Sequence, residues 1–457
     1  MKENIMKYRL IEIINASNEF IDQLQLGQVT VQGWVRSNRS SKAGISFITL
    51  NDGSCLKSLQ VIVPNTIDNY QDQILKLSKD CSITAVGQLK LNPRSDGKQE
   101  LELLATEVIV HGIVDDASSY PMSLKKHSLE HLREYPHLRV RTNLISAVMR
   151  IRNTISLSIH NFLQAKGFLW IHTPIITAID CEGAGEMFSF DFFDKRAFLT
   201  VSGQLNVESY CLGLSKVYTF GPTFRAENSN TTRHLCEFWM IEPEIAFANL
   251  NDIVSLAADL LKSVCKSVLE HNELDLEFLS KHSSQDLYVR ANNIINDDFA
   301  QIDYNQAIEM LLASNKKFEQ PVVWGCDLSS EHERYICEEL MNKPVVIKNY
   351  PKDIKAFYMR VNDDDKTVAA MDILVPGIGE IMGGSQREER LEQLLKQMKS
   401  KNIKPQSMQW YLDLRRYGSV VHSGFGLGLE RLVSYITNVS NIRDTIPFPR
   451  TPHNLEY

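Results

Sequence analysis

The chain has 457 residues, too many for one hydrophobic core, so two or three domains are expected. Its 43% hydrophobic and 23% charged residues are those of an ordinary globular protein, and a net charge of -7 excludes wholesale coating of nucleic acid but not a local basic patch. No apolar run is long enough to cross a bilayer, and the mixed charges of Lys2, Glu3, Lys7, Arg9, Glu12 and Glu19 leave no room for the apolar stretch of a signal peptide. The eight cysteines are scattered with no CxxC pair, which points to thiols in a reducing, cytoplasmic compartment and away from disulfides or structural zinc.

From Val29 to Gly112 the chain reads as short strands with turns between them. Val29 to Arg36 alternates at period two, and Ile45 to Leu50 ends at the turn Asn51-Asp52-Gly53. Leu59 to Val63 follows, then an expected helix from Ile67 to Lys79, then strands at Cys81 to Lys90 and Glu100 to Val110. Five strands with a helix between the third and fourth fit an OB-fold barrel over residues 1–112. A polar linker is expected over 113–135, and Asn143 to Lys166 has helical periodicity. Over 136–457 strands and helices alternate without the regular beat of a parallel βαβ protein. The expected fold class is therefore α+β: a barrel, then an antiparallel sheet flanked by helices, with a mostly helical insertion at about 251–343.

Three motifs carry the chemistry. The first is Lys166-Gly167-Phe168 followed by Thr173-Pro174-Ile175; the second runs from Phe224-Arg225-Ala226-Glu227 to His234-Leu235-Cys236-Glu237-Phe238; the third is Gly424-Phe425-Gly426-Leu427-Gly428-Leu429-Glu430-Arg431. In this order they resemble motifs 1, 2 and 3 of the class II aminoacyl-tRNA synthetases, over nearly the whole chain. The best match lies in the asparaginyl branch of the subgroup that also holds the aspartyl and lysyl enzymes.

That resemblance implies activation of L-asparagine by ATP with Mg2+, transfer to tRNA(Asn), and a homodimer built on motif 1. Arg225 would bond the α-phosphate and the substrate carboxylate, since its fork suits oxyanions. Glu227 would accept from the adenine amino group, and Phe238 and Arg431 would cover the two adenine faces. His234 and Arg431 would reach the leaving pyrophosphate. Asp372 and Glu380 match metal carboxylates, which can hold Mg2+ while phosphates complete its octahedron.

Arg387 matches an arginine that contacts the substrate side-chain oxygen, and Glu182 and Gln204 match positions that hold the α-amino group, with Ser202 in support. Aspartyl enzymes carry a lysine where Val207 stands, and Glu242 falls where relatives place an acid near the substrate. Asparagine and aspartate are nearly isosteric, so charge must separate them. In the barrel, Arg36, Arg39, Lys42 and Lys57 face only Asp52 between Gln28 and Gln60, a local basic strip suited to phosphates. Phe47, Gln60 and Glu100 match anticodon-reading positions, although Phe47 could equally fill the barrel; Trp34 reads as core. An aspartyl enzyme that also accepts tRNA(Asn), an asparagine-forming synthetase and a non-catalytic paralogue remain as alternatives.

Overall fold

The computed structural model describes residues 6–16, 27–92, 101–123, 127–179 and 187–457, and contacts divide the chain into two compact units that part at Arg150. In the first unit, strands β1 (Met6–Lys7), β2 (Val29–Ser40), β3 (Ile45–Asn51), β4 (Leu59–Pro64), β5 (Ser82–Leu91) and β6 (Leu101–Gly112) run in the order β1-β2-β3-β4-β6-β5. Val29 to Trp34 of β2 also pairs with Ser82 to Gly87 of β5, which closes the barrel and removes its open edges. Period-two alternation sends Val29, Val31, Ile48, Leu50, Val61 and Val63 inward, where all are buried. A bulge between Val35 and Ser37 interrupts that alternation at Arg36.

Two features of this unit depart from the sequence reading. Residues 67–79 form no α-helix: they make turns and one 3-10 segment, Ile74–Lys76, because Asn69 donates its side-chain amide to the Val108 carbonyl (2.9 Å) and Tyr70, Ile74 and Leu77 plug the barrel core individually. The stretch read as a polar linker contains a helix, Leu129–Glu134, whose Leu132 packs with Met122 and Ile145.

The second unit is built on an eight-stranded sheet of order β13-β14-β15-β16-β17-β12-β11-β7, with β7 at Leu169–Trp170, β11 at Lys216–Phe224, β12 at Glu237–Ala246, β13 at Ala300–Asp303, β14 at Val345–Pro351, β15 at Thr367–Val375, β16 at Gly379–Gln386 and β17 at His422–Gly428. The six central strands are antiparallel to one another, and the edge strands β7 and β13 pair with them in parallel. β13 and its parallel partner lie within or beside the segment read as a helical insertion, so that segment also supplies a sheet edge. Every residue of β15 is buried, as expected for a strand covered on both faces. A second, three-stranded sheet is formed by β8 (Ile176–Thr177), β9 (Ser189–Phe192) and β10 (Lys195–Leu199). The helix Gln204–Leu214 follows it, and the helix Leu429–Thr437 follows β17.

Candidate active site

A cavity of about 1100 Å³ opens over the central strands of the large sheet. Arg225 and Glu227 enter it from the turn after β11, Phe238 from β12, Asp372 from β15, Glu380 from β16 and Arg431 from the helix after β17. Antiparallel pairing is what brings these distant residues together: β11 and β12 place Thr223 opposite Phe238, and β16 and β17 place Gly383 opposite Gly426. The Arg225 guanidinium lies 5.4 Å from the centre of the Phe238 ring. Glu227 and His234 approach to 3.7 Å, and His234 Nδ1 contacts the Ser229 hydroxyl at 3.2 Å. Arg431 donates to the Glu380 carbonyl (3.0 Å) and stands 3.4 Å from its carboxylate.

The residues present fit a divalent cation. A Cβ on Gly383 would lie 3.1 Å from both the Asp372 and the Glu380 carboxylate, so the two acids flank one glycine and converge on the same space. Two neighbours that sequence reasoning passed over complete the cluster. Lys355 pairs with Asp372 at 2.7 Å; burial opposes its charge, but Asp372 holds its pKa above the ordinary value. Glu333 accepts the Glu380 amide at 3.0 Å, and burial, with repulsion from Glu380, pushes its carboxyl up to about 7. Neither had a signal: Lys355 follows a polar turn, and Glu333 sits among the ordinary surface-like residues Ser330 to Arg334.

The same sheet carries a buried polar network. Arg387 grips Glu244 bidentately, Nε to Oε1 at 2.8 Å and Nη2 to Oε2 at 2.9 Å, and donates Nη1 to Ser385 at 2.9 Å. Burial works against the guanidinium charge, yet Glu244 more than offsets this and keeps Arg387 protonated. A Cβ on Gly424 would collide with the Glu244 carboxylate, which is why the first glycine of the third motif must be glycine. Glu242, on the same strand face as Glu244, accepts from the Gly203 amide at 2.9 Å and from the Ser202 hydroxyl. Glu244 is thus a direct partner of Arg387, whereas the sequence reading singles out Glu242. Gln204 begins its helix and donates Nε2 to Glu208 at 3.1 Å. Val207 lies in a buried apolar cluster with Cys211, Val217 and Ala246. Glu182 lies outside the described residues.

In the barrel, Phe47 and Gln60 stand on the outer face, alternating with buried Ile48, Leu59 and Val61. Register sets Arg39 opposite Phe47 and Thr49 opposite Gln60, and Gln60 donates to Glu102 at 2.8 Å. Phe47 is therefore not core, and Trp34, read as core, is 43% exposed. Arg36 is a correction. At the bulge its side chain turns inward, 3.5 Å from buried Asp80, and donates to Asn51 (3.3 Å) and to the Arg141 carbonyl, so it is not presented to a phosphate. Glu100 lies outside the described residues.

Comparison with known proteins matches residues 29–110 to the family "OB-fold nucleic acid binding domain" and residues 128–452 to "tRNA synthetases class II (D, K and N)". The chain is 58% identical to the asparagine–tRNA ligase of Haemophilus influenzae, over 94% of this chain and 96% of that one. It is 56% identical to that of Histophilus somni, over 98% and 100%. Among solved structures, the asparaginyl-tRNA synthetase of Pyrococcus horikoshii complexed with asparaginyl-adenylate superposes with a TM-score of 0.86 at 34% identity, covering 95% of this chain and 97% of the other. The barrel, the antiparallel sheet and the arginines and acids gathered over it, together with these likenesses, place the chain in the class II tRNA synthetases of the D, K and N group, within the family of the asparagine–tRNA ligases.

Proposed function

We propose that the chain activates L-asparagine with ATP to asparaginyl adenylate and pyrophosphate, then transfers asparagine to tRNA(Asn). The observation that carries this is the convergence of Arg225, Glu227, Phe238 and Arg431 on one cavity, with a buried Arg387–Glu244 pair, suited to an amide, on the same sheet. The substrate carboxylate attacks the α-phosphorus and the bond to pyrophosphate breaks. Charge grows on phosphoryl oxygens, so the chain contributes positioning and positive charge. Arg225 orients carboxylate and α-phosphate, Glu227 and Phe238 hold adenine, and His234 and Arg431 face the leaving pyrophosphate. Asp372 and Glu380 would hold Mg2+, which neutralises phosphate charge when bound. Gln204 accepts from the α-ammonium, with Glu182 assigned to the same group, and Arg387 meets the side-chain carbonyl. Three of its five N–H groups are engaged by Glu244 and Ser385, which leaves two for a ligand. Charging of tRNA with labelled asparagine tests the proposal directly: tRNA(Asn) is the expected acceptor, and acceptance by tRNA(Asp) with aspartate instead would refute it.

The barrel is the proposed anticodon reader, with Arg39, Lys42, Phe47 and Gln60 on its outer face. Phe47→Ala in the full chain is expected to raise the KM for tRNA roughly 10- to 100-fold, the worth of one stacked base, and to leave ATP–pyrophosphate exchange unchanged. Equal loss of both would assign Phe47 a structural role.

A cytoplasmic homodimer is also proposed. Leu157 of the preceding helix, and Leu169, Trp170, Ile175 and Ile176 in and beside the first motif, are all at least 41% exposed, and β7 is an edge strand. Sedimentation at micromolar concentration is expected to give twice the 52.1 kDa of the chain; a single species of chain mass would contradict the dimer. No helix among the described residues is long and apolar enough to cross a membrane.

A further inference from the structure

Glu208 is fully buried one helical turn after Gln204, on the same face of the helix Gln204–Leu214. Five contacts converge on its carboxylate, from Gln204 of its own helix, from Tyr411 and Arg415 of the helix Gln409–Arg416, and from His422 of β17. Oε1 lies 3.1 Å from Gln204 Nε2 and 3.0 Å from the Tyr411 hydroxyl; Oε2 lies 2.8 Å from that hydroxyl, 3.0 Å from Arg415 Nη2 and 3.1 Å from His422 Nε2. Burial alone would raise this carboxyl, but Arg415 and His422 hold it well below the usual carboxylate range, so it is ionised.

An ionised carboxylate can only accept hydrogen bonds. The nitrogen of the Gln204 amide must therefore face Glu208, and its carbonyl oxygen must face the opposite way. We propose that Glu208 is a positioning residue for amino-acid binding: it locks the Gln204 amide so that a carbonyl oxygen, and not an NH2 group, meets the α-ammonium of the substrate. The inference rests on the reading of Gln204 as the acceptor for that ammonium. Arg415 and His422 keep Glu208 from attracting the ammonium itself, since its charge is already matched within the core. Without the lock, an NH2 group would face a cation for part of the time, and ammonium binding would weaken.

The test uses the full chain in ATP–pyrophosphate exchange, with asparagine as substrate and succinamate, which is asparagine without its amino group, as competitor. Glutamine at 208 can donate as well as accept, so Glu208→Gln frees the Gln204 amide. The KM for asparagine is expected to rise about 10-fold, the worth of a hydrogen bond to a charged group. The inhibition constant of succinamate and the KM for ATP are expected to stay unchanged, and kcat to change less than KM. In a Gln204→Ala background, Glu208→Gln should add nothing further. A purely structural role would move the asparagine and succinamate constants together, or act equally with and without Gln204; either result overturns the proposal. If Gln204→Ala alone leaves the asparagine KM unchanged, the reading of Gln204 fails first. Glu208→Asp keeps the charge beside Arg415 and shortens the reach to Gln204, and gives the same readout should Glu208→Gln not fold.

Discussion

Replacing Arg225 or Arg431 with alanine is expected to lower asparagine-dependent ATP–pyrophosphate exchange by about 10²- to 10³-fold each, the loss typical of one preorganised donor facing developing charge. The two arginines enter the cavity from widely separated parts of the second unit's sequence, one from the turn after β11 and one from the helix after β17. Their side chains are held differently. The Arg225 guanidinium lies over the Phe238 ring, and Arg431 is pinned to Glu380 by its carbonyl and carboxylate. Arg225→Lys should rescue little, because an ammonium cannot bridge a carboxylate and a phosphate with a planar fork. Arg431→Ala also leaves Glu380 without that ion pair, so the KM for ATP should rise with the fall in rate. Near-normal exchange in both variants would remove these residues from the reaction.

Glu244→Gln is expected to shift the ratio of specificity constants for asparagine over aspartate by roughly 10²-fold or more toward aspartate, the scale of a close charge pair in a desolvated site. As the protein stands, the charge of Arg387 is matched by Glu244, and the pair is close to neutral as a unit. Such a pair accepts a neutral amide. An aspartate carboxylate would set two buried negative charges against one guanidinium. Neutralising Glu244 releases the full charge of Arg387 to a substrate carboxylate. Glu242→Gln should act in the same direction but more weakly, because the Glu242 carboxylate already accepts from Ser202 and from the Gly203 amide, whereas Glu244 holds Arg387 by two hydrogen bonds. Val207→Lys, which sequence comparison with aspartyl enzymes suggests as a switch, is expected to destabilise the chain instead. Its side chain is fully buried against Cys211 and Val217, so a lysine there adds both volume and a buried charge to a packed apolar cluster. An unchanged ratio in active Glu244→Gln protein would place side-chain selection elsewhere.

Much of this site was legible in the sequence, because the three motifs keep their spacing and each arginine or acid has one plausible chemical task. The barrel was legible for a simpler reason: strict alternation such as Val29, Val31 or Val61, Val63 leaves little choice of inward face. What the sequence could not show is which polar residues meet. Glu242 and Glu244 share one strand face, and only the folded chain, in which Arg387 donates twice to Glu244, reveals that Glu244 is its partner. Lys355 and Glu333 come from segments far from any motif and enter the site through tertiary packing alone. Arg36 looked like a surface cation, yet a single bulge turned it toward Asp80. Residues 67–79 have helical apolar spacing, but each apolar side chain serves the barrel core separately, and packing overrode the periodicity.

The most direct measurement is ATP–pyrophosphate exchange by the full chain with asparagine, aspartate and lysine supplied separately. Exchange that depends on asparagine, with aspartate and lysine weaker by orders of magnitude, is the predicted result. Exchange driven equally well by aspartate, or by none of the three, would contradict the assignment.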